Sequence, residues 1–463
     1  TSMAGRQFDN STVTTVRGIK GMDVLSQHFT KSKLLKYTLP TMAMMLVSSA
    51  YGIIDGLFVS NLVGKDALAS MTIVLPFIVI VSALGIMMGS GGSAVVGQLL
   101  GAGDRKGANR AFSLIAWATF VTGVVCSVLG MAFMDEAVVL LGASAEMAPM
   151  AATYGKIVFL CLPMFMITYV FEMFCSVAGK PGFGFLSSLT AGVVNIGLDA
   201  VLMGVFGMGI EGAATATCIA EYSSAMLMVV LFARGKVGVL KLVRPRWVQG
   251  VLPRSIANGV SEMVGCAAMS VVATAYNLQL MTLFGPDGVA AYAVIEYASM
   301  LIGAAFGGLT EGMAPLMSYQ HGAGNNHEKR SLFGNGATLT AAMGIGAFLV
   351  AQLLAQPLAF AFTGYDGALM ALTIHAFRMY SIAFLLMGVT YFGSVMFTAV
   401  ENGKISALIS FVHTFVFELG SIILLPVFFG ADSIWWSIIV AEVAASILTI
   451  GLVARHAKGY GWR

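Results

Sequence analysis

The sequence predicts an all-α integral membrane protein: twelve transmembrane helices in two six-helix bundles related by a pseudo-twofold axis. Three observations predict it. The chain has 463 residues, of which 58% are hydrophobic and 10% charged, against about 25% charged in a soluble domain. Its apolar residues fall in runs long enough to cross a bilayer, which takes roughly 20 residues of helix. Its second half also repeats its first at an offset of 221 residues. The net charge of +3 argues against a nucleic-acid role.

Residues 1–33 read as a polar cytoplasmic tail. Its opening, TSMAGRQ, resembles a cloning scar ahead of Met3, and no run of signal-peptide length occurs there. Asn10 heads an N-S-T sequon, expected to stay unmodified in such a tail. The first bundle, 34–233, holds spans near 34–60, 67–100, 111–134, 150–178, 183–206 and 211–233. A basic cytoplasmic linker, 234–253 (RGKVGVLKLVRPRWVQGVLP), follows. The second bundle, 254–454, holds spans near 254–284, 288–321, 331–362, 367–400, 404–429 and 433–454, and 455–463 is a cytoplasmic tail. The longer spans must tilt or outrun the bilayer. Pro76, Pro163 and Pro315 lie within spans and predict kinks.

Twelve spans put both termini on one side, and basic residues choose it. Of the 25 Lys and Arg residues, 22 fall in the tails or in loops on the terminal side, leaving Lys65, Lys156 and Arg378. The opposite loops carry Asp66, Asp135, Glu136, Glu146, Glu211, Asp287, Asp366 and Asp432. Both termini are therefore expected in the cytoplasm of a plasma-membrane protein. Five single cysteines (Cys126, Cys161, Cys175, Cys218, Cys266) read as small core residues, neither a disulfide frame nor a metal site.

The repeat is ungapped across a whole span. LVGKDALAS (62–70) matches LFGPDGVAA (283–291), and GQLLGAGDRKGANR (97–110) matches SYQHGAGNNHEKRS (318–331). Gly64 meets Gly285, Gly91 meets Gly312, and Gly101-Ala102-Gly103 meets Gly322-Ala323-Gly324. Six spans per half is even, so the halves run parallel about an axis along the membrane normal, with a cavity expected between them.

Within these spans four polar residues stand at one depth. Asn195 and Asp199 are four apart and share a helix face. Asp55, Asp199 and Thr217 each fall six or seven residues from the outer end of a span, roughly 10 Å down at 1.5 Å per residue. Two carboxylates, an amide and a hydroxyl form a hard oxygen set suited to Na⁺-type cations or to a proton. A charge at that depth costs about 2.5–3.5 kcal/mol on the insertion scale, which marks Asp55 as functional.

These residues carry a resemblance. Pro40 precedes Asp55 by fifteen residues, two G-x-D-x-x-A outer loops each open a span ending in Gly-Ala-Gly, NIGLD (195–199) lies in the fifth span, and GIEGAATAT (209–217) opens the sixth. The chain resembles the multidrug and toxic compound extrusion (MATE) family of secondary transporters over nearly everything after residue 33. The resemblance implies twelve helices in two bundles, export of drugs and toxic organic compounds by alternating access, and a coupling ion, Na⁺ or H⁺, with no cofactor. It maps a cation site onto Asp55, Asn195, Asp199 and Thr217, with the Ala213 carbonyl as fifth ligand and Pro40 as hinge. It implies small-molecule drugs and membrane lipids as partners, a monomer, and no ATP-binding subunit. The second half departs from this pattern: Tyr276 stands opposite Asp55, and the eleventh span has no N-x-x-x-D.

Other acids remain. Glu262 follows Pro253 by nine residues and resembles a coupling or drug-binding glutamate of some family branches. Glu296 and Glu311 fall roughly on one side of the eighth span, where the first copy has Leu75 and Ser90. All three are expected to line the cavity and attract cationic drugs. Glu172, Glu221, Glu418 and Glu442 carry less support, and Glu401, beside Lys404, reads as solvated. GMGIEG (207–212) matches a dinucleotide fingerprint but follows no strand, and no G-x-x-x-x-G-K-[ST] occurs. Of the histidines only His375 and His413 lie in spans, without a partner at metal-ligand spacing. An alternative function is flipping a lipid-linked precursor, which needs more spans or a basic cavity. A remoter one is an intramembrane enzyme, which needs a nucleophile–base pair or metal ligands that the spans do not display.

Overall fold

The computed structural model describes residues 22–463 apart from residues 142, 145, 146 and 365. The expectations for TSMAGRQ, Arg6, Asn10, Arg17, Lys20 and Glu146 fall outside the described residues, as do the side chains of Lys65 and Asp66. Among the described residues the regular structure is helical, with no strand. Eleven helical segments are long and apolar enough to cross a membrane. Six form the first half: α1 (Lys31–Val63), α2 (Ser70–Gly101), α3 (Arg105–Ala132), α4 (Ala148–Val177), α5 (Pro181–Val205) and α6 (Gly209–Ala233). The seventh, Val251–Gly322, is 72 residues long and breaks at Gly285 into α7 (251–284) and α8 (286–322). The remainder are α9 (Asn326–Thr363), α10 (Gly367–Ala399), α11 (Gly403–Phe429) and α12 (Ala431–Tyr460). The chain therefore makes twelve passes.

The repeat reappears in the backbone. Gly64 and Gly285, 221 residues apart, both reverse the chain with positive φ (118° and 66°), a conformation that a Cβ would strain. Past the Gly-Ala-Gly turns, Asp104 Oδ1 accepts from the Gly107 N–H at 2.8 Å and Asn325 Oδ1 from the Glu328 N–H at 3.2 Å, so α3 and α9 begin with equivalent caps. The helices run through Pro40, Pro76, Pro163 and Pro315 without a break.

Close packing takes the place of hydrophobic drive, because lipid tails are as apolar as the side chains. On α3, Gly123 lies against Pro163 and Gly130 against the Phe159 ring of α4, where a methyl group has no room. Phe112, Phe171, Phe174 and Phe232 interlock α3, α4 and α6, with ring centroids 4.8–6.0 Å apart.

The halves meet through α1 and α2 against α7 and α8, near the end that carries the termini. Gly97 touches Ser318, its own counterpart at +221, which places the pseudo-twofold axis between α2 and α8. Around that axis the contacts are reciprocal. Gly101 lies on the Tyr319 carbonyl and Gly322 on the Gln98 carbonyl, while Gly91 lies on Gly259 and Gly312 on Thr38, the counterpart of Gly259. Toward the far end this contact is lost. Residues 306–320 of α8 are all buried, whereas 296, 297, 300 and 301 are exposed, and α1 beyond Met44 buries only Asp55 up to Phe58. The bundles are thus sealed at the terminal end and splayed at the other.

Two straps cross the sealed end. Residues 22–30, expected in the polar tail, fold onto the second half: Glu328 accepts from the Phe29 N–H at 2.9 Å and meets His28 Nδ1 at 2.8 Å, while Gln320 and Asn335 donate to the Leu25 and Phe29 carbonyls. The linker likewise lies on the first half, with the Lys241 N–H on Asn109 Oδ1 (3.0 Å) and the Val243 N–H on Ser113 Oγ (2.9 Å).

Candidate functional site

The first half brings the four polar residues together. Asp55 sits in the last regular turn of α1, three residues before Phe58, and the helix then widens into a π turn at Val59–Val63. Asp199 on α5 immediately precedes another, Ala200–Val205. Such single wide turns recur at functional sites because they re-aim side chains and backbone groups. Asp55 and Asp199 are 6% and 0% exposed, and their carboxyls lie within interaction range of each other. Asn195 Nδ2 donates to Thr217 Oγ1 at 3.3 Å, joining α5 to α6. Ala213 is fully buried one turn from Thr217, and the Tyr154 ring of α4 lies within electrostatic reach of both carboxyls.

The chemistry of this cluster is one-sided. Asp55 Oδ1, Asn195 Oδ1 and both Asp199 oxygens are buried and accept no hydrogen bond. Two carboxylates cannot donate to each other, and the Asn195 amide gives one of its two N–H groups to Thr217. Unpaired buried acceptors are costly. A hard monovalent cation or a proton would relieve that cost. Among the described residues no group of three or more His, Cys, Asp or Glu side chains is placed to hold a metal ion.

Below this cluster the first bundle carries polar groups the sequence left unconnected. The Tyr51 hydroxyl donates to Glu221 Oε1 at 3.4 Å, and Glu172 lies near Glu221. Ser48 pairs with Ser188, and Ser187 with Ser224, each at 2.6 Å.

The second half treats its three expected cavity acids differently. Glu262 of α7 and Glu311 of α8 lie near each other, with the Tyr169 ring of α4 across from both, at the floor of the cleft. Glu296 is exposed higher in the splayed region, near Tyr292 and Tyr380. Fifteen residues of α8 separate it from Glu311, about 22 Å of rise, so the two acids on one side of the span stand at different depths. Glu401 departs from expectation. It is held by Nε and Nη2 of the Arg254 guanidinium, with its side chain 16% exposed, and is not simply solvated beside Lys404. His375 meets Asp432 at 3.1 Å near the far surface. His413 meets Glu442, 29 residues on, a pairing that no local spacing rule could find.

Two pseudo-equivalent six-helix bundles, sealed at one end and open at the other, with paired acids inside one bundle, define a two-bundle membrane transporter. The MatE family profile matches residues 40–201 and 263–422, one stretch in each half. The chain belongs to the MatE family, the multidrug and toxic compound extrusion transporters. Among proteins it resembles, the multidrug export protein MepA of Staphylococcus haemolyticus is 23% identical over 437 residues, covering 92% of this chain and 94% of that one. MepA of Staphylococcus aureus is 23% identical over 442 residues, covering 92% and 95%. The crystal structure of MATE in complex with MaL6 superposes with a TM-score of 0.90 at 20% identity, over 95% of this chain and 99% of that one. The outward-facing conformation of a multidrug resistance MATE family transporter of the MOP superfamily gives 0.89 at 20% identity, over 95% and 98%. These structural likenesses speak to the fold.

Proposed function

We propose that the protein is a cation-coupled antiporter that exports drugs and toxic organic compounds across the plasma membrane, with its termini and sealed end in the cytoplasm. The observation that carries this reading is the buried pair Asp55 and Asp199 inside the first bundle, with Asn195 one turn from Asp199 and four acceptor oxygens of the three residues left without a donor. A Na⁺ or H⁺ entering from outside neutralises the facing carboxylates and lets α1, α5 and α6 close on one another. Each monovalent ion moved inward yields about 2.3 kcal/mol per 100 mV, available to drive the bundles about the α2–α8 axis. The sidedness follows the basic residues, which crowd the sealed end.

Purified protein in liposomes tests the coupling. Uptake of a cationic dye should follow an imposed Na⁺ or pH gradient and cease when both are collapsed; uptake indifferent to both gradients would exclude antiport.

The floor of the cleft supplies the cargo contact in this reading. Glu262 and Glu311 set two carboxyls beside the Tyr169 ring, a surface that suits a lipophilic cation able to draw off their protons. In Glu262→Gln/Glu311→Gln, export of cationic dyes should fall about tenfold, the effect of about 1.4 kcal/mol of lost attraction, while export of neutral compounds stays near wild type. Equal loss for both classes would count against cargo attraction.

A further inference from the structure

Midway along the second bundle lie three titratable side chains that the reading above leaves unused. His413 Nε2 is 3.1 Å from Glu442 Oε1, and Glu442 Oε2 accepts from the Thr390 hydroxyl at 3.4 Å. Glu418 lies within electrostatic reach of both His413 and Glu442. Glu442 is 1% exposed, while His413 and Glu418 are partly buried. Residues five apart on an α-helix point about 140° away from each other. Between Val412 and Glu418, however, α11 widens into a π turn, whose i→i+5 closure stacks His413 and Glu418 on one side.

The site has a relation to the first bundle. Ala441-Glu442 stands 221 residues after Ala220-Glu221, so both bundles keep a buried glutamate at the same place on their last helix. In the first bundle that glutamate meets a phenol, Tyr51, and a second acid, Glu172. In the second it meets an imidazole. A separate observation points the same way. Tyr276, the counterpart of Asp55, is fully buried within reach of Glu418, and its hydroxyl makes no hydrogen bond, with Ser437 and the Ile438 backbone nearby but out of bonding geometry.

Two carboxyls set against one imidazole leave one negative charge once the His413–Glu442 ion pair is formed, and a proton on Glu418 cancels it. A hard metal cation would instead be repelled by the imidazolium and would have to displace it from Glu442. From α7 the group facing this set is Tyr276 and from α8 it is Tyr292, with Glu262 and Cys266 one neighbour further off beyond Tyr391 and Glu296 beyond Tyr292. From α10 they are Tyr380 and Tyr391. None of these is basic, so the imidazole alone balances the acids.

We propose that His413, Glu418 and Glu442 form a proton-binding site of the second bundle, separate from the oxygen cluster of the first, which takes up a proton in one arrangement of the bundle and yields it in another. The site does not depend on which ion the first bundle carries. It gives the two halves different ion chemistry on one pseudo-symmetric frame.

The test counts protons and needs no gradient-driven transport. Full-length Asp55→Asn/Asp199→Asn protein, whose second bundle is untouched, is titrated with ethidium in weakly buffered detergent solution containing a pH indicator, with binding followed by ethidium anisotropy. Proton exchange should persist on ethidium binding. Adding Glu418→Gln should remove it. Adding His413→Arg, which keeps a fixed positive charge opposite Glu442 but cannot yield a proton, should shift its pH profile. Absence of exchange in the first-bundle variant overturns the site. So does exchange that neither second-bundle substitution alters, which would assign the proton to Glu262 or Glu311. Because transport is not read, failure of the antiport reading and failure of this site give different results.

Discussion

Asp199→Asn protein, reconstituted in liposomes, is expected to lose gradient-driven dye export almost completely while expressing normally and still binding dye. The substitution keeps side-chain volume, so the contacts of α5 with α1 and α6 survive. What it removes is one charge from a site whose oxygens have no other donor. Losing a charged partner costs about 2–3 kcal/mol, a factor of roughly 30–150 in ion affinity. The new amide also brings an N–H that can donate to Asp55, which ties up a second ligand. Asp55→Asn should behave alike, because the two carboxyls face each other. Thr217→Val should be milder, since it removes an oxygen without a charge and frees the Asn195 amide. Normal coupling in both aspartate variants would sink the ion site. Loss of expression in place of loss of coupling would mean that the acids serve packing.

A methyl group at the sealed end is expected to open it. A Cβ on Gly91 would run into the Ser255 carbonyl and the Gly259 backbone, and one on Gly259 into the Met87 carbonyl. These are main-chain atoms that no rotamer change can move, so α2 and α7 must part. Overpacking of this kind costs about 1–3 kcal/mol, which changes the ratio of sealed to unsealed protein by about 5- to 150-fold. Spin labels at the exposed residues Lys106 and Lys404, one in each half, report it directly. Their separation should lengthen and broaden in Gly91→Ala and Gly259→Ala, and export should fall. Gly182→Ala is the control, because nothing lies within 4 Å of its new Cβ. An unchanged separation in both variants would show that the glycine contacts do not hold the seal.

The sequence exposed the first-bundle cluster because its parts obey local rules. Asn195 and Asp199 are one turn apart, and Asp55 and Thr217 sit at countable depths in apolar runs. The His413–Glu442 pair was not legible that way. Its members lie on different helices, and the offset that relates Glu221 to Glu442 says nothing of the imidazole supplied by α11. The spacing of Glu296 and Glu311 was legible as about four turns of one helix. Which of the two depths is closed was not, because only the splay of the bundles makes one acid floor and the other wall.

By itself, the sequence determined the membrane class, the twelve passes, the parallel repeat and the family likeness. Each rests on apolar run length, loop charge or ungapped identity, which are local properties of a chain that must satisfy its backbone inside lipid. Only the tertiary structure decided which end is sealed, where Gly97 meets Ser318 on the axis, and which buried acids gain a partner. Those outcomes depend on how closely two helices approach, and approach is set by side-chain size on both partners at once. No single span carries that information.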